Sequence, residues 1–143
     1  MNLSWVTPVA NEPTRLVASV ESSSRTATNL VAGSPFSISL LTLDQRELGR
    51  AFVKPQLTWT NEDKIEYAQG HAVLRSKLGV PWLSSSVGVL AGTSELIREL
   101  GEHALWLLSV DEIAGRPEVL EGPASRHDVR VLGVHDTRMN YGR

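Results

Sequence analysis

Short apolar blocks broken by polar turns run through the first third of the chain. Leu3 to Val9 and Arg15 to Val20, both rich in Val and Leu, are separated by Ala10-Asn11-Glu12-Pro13, which predicts two strands joined by a turn. Ser22, Ser23 and Ser24 then offer N-caps for a short helix over Arg25 to Ala32, which Gly33 can close in a left-handed conformation. Phe36-Ser37-Ile38-Ser39-Leu40 alternates apolar and polar side chains, the period of a half-buried strand. Thr42 or Asp44 can start a second helix, with Leu48, Ala51 and Phe52 on one face and Arg46, Glu47 and Arg50 on the other; Pro55 ends it. Residues 54–80 are mixed and polar, and predict an excursion with one helical turn around Glu62 to Gln69.

The pattern is ambiguous between Trp82 and Ile113. Ser94 to Leu100 favours a helix on propensity, with Ser94 as its cap. Val87 to Leu90 and Ala104 to Val110 read as strand, and Gly101 interrupts any helix joining them. A long hairpin turning through Leu100-Gly101-Glu102-His103 fits equally well. Arg116 to Asp128 reads as loop, and Val129 to Val134 as a last strand. The tail from His135 to Arg143 is polar and ligand-like. Many strands with few short helices predict a closed or split barrel rather than a doubly wound sheet.

The 143 residues suit a single domain spanning 1–143, large enough to bury its own core. A net charge of -2 supplies no basic surplus for nucleic-acid phosphates, so a nucleic-acid partner is not expected. No apolar run approaches the ~20 residues of a membrane-spanning helix, and residues 1–20 lack the pattern of a signal peptide. A cytoplasmic protein without a membrane partner is the expectation. The chain has no Cys, which excludes disulfides, thiolate metal sites and Cys nucleophiles. His71, His127 and His135 are too scattered to predict a metal site.

Seven segments stand in order along the chain: Met1-Asn2-Leu3-Ser4-Trp5, Asn11-Glu12-Pro13, Leu16 to Val20, Ser23-Ser24-Arg25-Thr26, Thr42-Leu43-Asp44-Gln45, Gly79-Val80-Pro81-Trp82-Leu83 and Gly101-Glu102-His103-Ala104. In that order they resemble the flavin reductase-like family with the FMN-binding split barrel. Together they cover nearly the whole chain. The resemblance implies a mainly β split barrel and selects the hairpin reading of Val87 to Arg98, because the Gly-Asp-His turn of the family joins two barrel strands. Three departures accompany it. Asn2 replaces a Thr, Ser39 stands where Asn is common, and the family's strand before this Met is absent. An uncovered barrel edge is then expected, met by a second copy of the chain, by a start upstream of Met1, or by weaker flavin binding.

The resemblance also implies an NAD(P)H-dependent flavin reductase, binding FMN (or FAD) and taking hydride from NADH or NADPH. Asn2, Leu3, Ser4 and Trp5 would lie along the flavin ring edge. Ser23, Ser24, Arg25 and Thr26 would hold its phosphate, with neutral donors and the positive end of a helix; on spacing alone, the serines equally well only cap the helix. Gln45 joins the cofactor-binding candidates. His103 is the catalytic candidate, a residue near flavin and nicotinamide that orients the reduced cofactor; a lone turn His is otherwise a solvated one. Arg50, His135, Arg138 and Tyr141 are weaker candidates. No G-x-G-x-x-G marks a separate nicotinamide domain. A homodimer that passes reduced flavin to a partner monooxygenase is the implied assembly. The alternatives are a degenerate, non-catalytic flavin-binding barrel and a split-barrel oxidoreductase acting on another substrate.

Overall fold

The computed structural model describes residues 2, 3, 5–53, 58–120, 130–133 and 136. The first predicted hairpin is present, shifted toward its turn: β1 spans Val6–Asn11 and β2 Thr14–Glu21. Helix α1, Arg25–Asn29, stops short of the expected Ala32, because Leu30 already turns extended; the left-handed Gly33 (φ 82) comes after that turn. Strand β3, Pro35–Leu40, follows as the alternation requires. A 3-10 turn, Leu43–Gln45, leads into α2, Arg46–Ala51.

Residues 58–83 differ most from expectation. Instead of a helical turn around Glu62 to Gln69 there are four short strands: β4 (Trp59–Glu62), β5 (Ile65–Ala68), β6 (His71–Arg75) and β7 (Pro81–Leu83). Asp63 and Lys64 take positive φ (51 and 68) at the first turn, and Gln69 and Gly70 (52 and 76) at the second. Two consecutive left-handed residues make the tight connection that matches strand twist; Gly70 and Asp63 favour that conformation, whereas Lys64 and Gln69 do not announce it in sequence. Salt bridging of Arg75 to Glu66 across β5 and β6 holds the Glu66 carboxyl below its usual range and the guanidinium above its own.

Strands β8 (Gly88–Leu100) and β9 (His103–Gly115) form the long hairpin, turning at Gly101 with φ 65. Helical propensity over Ser94 to Leu100 is overridden by cross-strand pairing, in which Leu96 meets Trp106 and Glu95 meets Leu107. Helix α3, Pro117–Leu120, lies in the expected loop. Of the expected last strand, residues 130–133 make one isolated antiparallel bridge, Val131 to Thr42; Val129 and Val134 lie outside the described residues, as does Pro55.

Among the described residues every ladder is antiparallel. One sheet runs β1-β2-β9-β8-β3 and the other β4-β5-β6-β7. The architecture is a split β-barrel. Register places Leu16 opposite Leu108, Ala18 opposite Trp106 and Val20 opposite Ala104, so all six share one buried face. Phe36 completes that cluster. A second buried cluster joins Leu48 of α2 to Ala68, Val73 and Leu83 of the smaller sheet.

Candidate functional site

A cavity of about 440 Å³ lies between the two sheets, where the two apolar clusters face each other. The larger sheet supplies Ala18, Val20, Phe36, Ile38 and Leu108; the smaller supplies Trp59, Ala68, Val73 and Trp82. Asn2 and Leu3 close it on one side, Thr26 and Leu30 on another. Gly49 of α2 and Phe52 just after it border the cavity together with Val131, Leu132 and Gly133. This last wall is tied down by the Leu132 N–H, which donates to the Leu41 carbonyl at 2.7 Å. Asp136 also holds this wall: its carboxylate takes the Gly133 N–H at 3.0 Å and Arg130 at 2.8 Å.

Among the described residues lining the cavity, none carries a formal charge. The polar side chains are Asn2, Thr26, Ser37 and Ser39. Asn2 Nδ2 donates to the Gly49 carbonyl at 2.9 Å, and Ser37 Oγ to the Pro81 carbonyl at 2.6 Å. Such a lining, apolar with a few oriented polar groups, suits a small, largely apolar ligand, and the volume falls within the ~300–1,000 Å³ of small-molecule sites.

Sequence and structure agree on the local role of Ser24. Its Oγ accepts the Ala27 N–H at 3.1 Å, capping α1, and no acidic residue occupies the first turn. Ser24 and Thr26 are half-buried, Arg25 exposed, and Thr26 reaches the cavity wall. First-turn N–H groups of a helix have no intrahelical partner. Thr26, in the first turn of α1, is the part of this helix start that lies on the cavity wall, and no acidic residue occupies that turn.

The other candidates fall in different places. Asn2 and Leu3 line the cavity. Trp5 is 72% exposed just before β1, and its carbonyl accepts the Ser19 N–H. Ser4, His135, Arg138 and Tyr141 lie outside the described residues. Ser23 is exposed and donates to Glu21 at 2.8 Å. Gln45 works within the scaffold: its Oε1 accepts the Thr42 N–H at 2.9 Å, and its Nε2 donates to the Ser85 carbonyl at 3.0 Å. Beside it, a hydrogen bond from Thr42 leads the causes holding the Asp44 carboxyl below its usual range. Arg50 pairs with Glu47 at 2.8 Å.

His103 is exposed at the start of β9, opposite Glu21, and does not line the cavity. Its turn does reach the serine run, because the Ser22 N–H donates to the Glu102 carbonyl at 2.8 Å. The fold thus brings together the serine run, α1 and the His103 turn, and separately gathers Asn2, Leu3 and Thr26 around the cavity. Sequence reasoning missed Phe36, Ser37, Trp59 and Trp82 as cavity residues. The alternation around Phe36 announced a buried face, whereas Trp59 and Trp82 belonged to strands whose turns carried almost no signal.

The model of the flavin reductase like domain matches residues 1–138. The chain belongs to the flavin reductase-like family. No curated protein matches it in sequence. Among solved structures, an FMN-binding protein from Thermus thermophilus is 20% identical over 83% of this chain and 65% of its own, with a TM-score of 0.62. An NADH:FAD oxidoreductase from Streptomyces globisporus is 20% identical over 78% of this chain and 60% of its own, TM-score 0.58. The styrene monooxygenase flavin reductase of Pseudomonas putida is 20% identical over 79% and 67%, TM-score 0.58. The chain therefore spans about two thirds of the length of these proteins, and the likeness is one of fold. No helix among the described residues is long and apolar enough to cross a membrane.

Proposed function

We propose that this chain is an NAD(P)H-dependent flavin reductase that binds FMN. The observation that carries the reading is the uncharged cavity between the sheets with Thr26 and the start of α1 on its wall. FMN joins a flat, largely apolar ring to an anionic phosphate, and those two surroundings match its two parts. Asn2 and Leu3 would edge the ring; Thr26, with Ser24 and Arg25 beside it, would hold the phosphate. Bound there, the flavin supplies the capacity to take up and hand on a hydride. The protein's share is to exclude water, hold the ring between two sheets and orient the donor.

Thr26 separates the phosphate from the ring. Thr26→Val keeps the side-chain shape and removes one hydroxyl donor, worth on the order of 1 kcal/mol. FMN affinity is expected to fall about 5-fold, while riboflavin, which lacks the phosphate, binds as before. Equal losses for both ligands, or none, would move the phosphate away from α1.

His103, outside the cavity, is assigned to the nicotinamide donor rather than to the flavin. His103→Ala should leave FMN affinity within about 3-fold of wild type and slow reduction by NADH about 30-fold, the loss of one positioning contact. Stopped-flow reduction at the wild-type rate would make His103 a solvated turn residue.

The same reading gives a homodimer. β1 is a sheet edge, and Trp5, Val6 and Val9 expose apolar surface along it, with Val6 also on the cavity wall. A second copy seated on that edge covers both. Sedimentation should give about twice the 15.6 kDa of one chain; a folded monomer at micromolar concentration would contradict it. Supply of reduced flavin to a monooxygenase in the cytoplasm completes the proposal, supported by the fold shared with the styrene monooxygenase flavin reductase. Titration with FMN followed by anaerobic addition of NADH tests the whole: stoichiometric binding and bleaching are expected. Binding without bleaching would favour action on another donor.

A further inference from the structure

Strands β3 and β7 run side by side, yet no backbone ladder joins them: each closes one edge of its own sheet. Two serine hydroxyls span the gap. Ser37 Oγ donates to the Pro81 carbonyl at 2.6 Å, and the Leu83 N–H donates to Ser39 Oγ at 3.4 Å. Both the serines and their partners are two residues apart along their strands, so the seam has a parallel register with side chains where a ladder would be. An interposed hydroxyl sets the backbones farther apart than the ~4.8 Å of paired strands.

This seam borders the cavity. Ser37, Ser39, Pro81, Trp82 and Leu83 all line it, with Trp82 between the two bonded residues of β7. The buried clusters of the two sheets are separate. The two hydroxyl bonds join β3 to β7 directly at this edge, next to the Val87 N–H, which donates to the Leu40 carbonyl at 2.9 Å just after β7.

We propose that Ser37 and Ser39 are positioning residues, whose bonds to β7 set the width of the cavity and hold Trp82 against the flavin ring. The inference rests on the flavin reading above. It predicts that the hydroxyls matter for ligand fit through Trp82, and not as direct donors to the ring.

The test is FMN titration, with the visible spectrum of the bound flavin as second readout, on the Ser37→Ala/Ser39→Ala pair. About 10-fold weaker binding and a spectrum shifted toward that of free flavin are expected. The Ser37→Thr/Ser39→Thr pair, which keeps both hydroxyls, should restore the affinity and the spectrum. Against a Trp82→Ala background the alanine pair should cost less than about 2-fold more, since residues acting as one unit are not additive. Should the alanine pair fail to fold by thermal melt, the single Ser37→Ala variant, which removes the shorter bond, carries the same comparison. Wild-type affinity with an unchanged spectrum, or a full loss persisting without Trp82, overturns the proposal. Absence of FMN binding to the wild-type protein is a different result, which removes the flavin reading itself and this proposal with it.

Discussion

Replacing Ala18 with leucine is expected to cost at least ~100-fold in FMN affinity, or ~2.7 kcal/mol, while leaving the protein folded. Ala18 is 1% exposed, sits mid-strand in β2 opposite Trp106, and lines the cavity. The added carbons have the cavity to enter, so the volume they take is taken from the ligand. Filling a pre-existing cavity commonly raises stability, whereas overpacking a filled core lowers it by about 1–3 kcal/mol. A thermal melt run with the titration tells the two apart. Lost affinity with an unchanged or higher Tm places the ring against β2. Unchanged affinity would show that the flavin lies elsewhere.

Gly92→Ala is expected to be the most damaging single change to the scaffold. Gly92 sits where the β8–β9 register shifts between Ala91 and Gly92, and a Cβ there would lie 1.8 Å from the Ser109 carbonyl oxygen. That neighbour is backbone in the central hairpin, so relief requires one strand to move. A loss of about 3–5 kcal/mol follows, seen as a fall in Tm of roughly 10 °C or more. Gly101→Ala provides the contrast. Its φ is 65, but nothing lies within 4 Å of a Cβ placed there, so only the left-handed backbone is strained, at about 1 kcal/mol. Equal losses at the two glycines would show that contact at the bulge is not what fixes Gly92.

The parts of the fold legible in sequence are those where alternation is strong. Leu16, Ala18 and Val20 mark one face of β2, and Phe36, Ile38 and Leu40 one side of β3, because strands half-buried against a core repeat every second residue. The long hairpin was not decidable locally. Ser94 to Leu100 favours a helix on propensity, and only pairing with β9, a non-local contact, settles it as strand. The smaller sheet was invisible for another reason. Its turns put Lys64 and Gln69 at positive φ, residue types that do not advertise that conformation, and its strands are only three to five residues long.

The site was legible in the same uneven way. Motif order points to Asn2, Leu3 and Thr26, and all three line one cavity. Motif order points to Gln45 as well, and both ends of its amide are bonded within the scaffold, to Thr42 and Ser85. A capping residue and a ligand-binding residue carry the same side chain, and spacing alone does not tell them apart. In sequence, Ser37 and Ser39 are the polar half of an alternating strand. Their bonds to β7 depend on a strand that sequence did not reveal.

The most direct test of the flavin reductase reading is a single anaerobic experiment on the purified chain. The protein is saturated with FMN, freed of excess ligand, and mixed with NADH while the visible absorbance of the flavin is followed. The account predicts that flavin stays with the protein, bleaches within the mixing experiment, and does so far more slowly in His103→Ala. A protein that retains no FMN, or whose bound FMN keeps its colour with both NADH and NADPH, would contradict it.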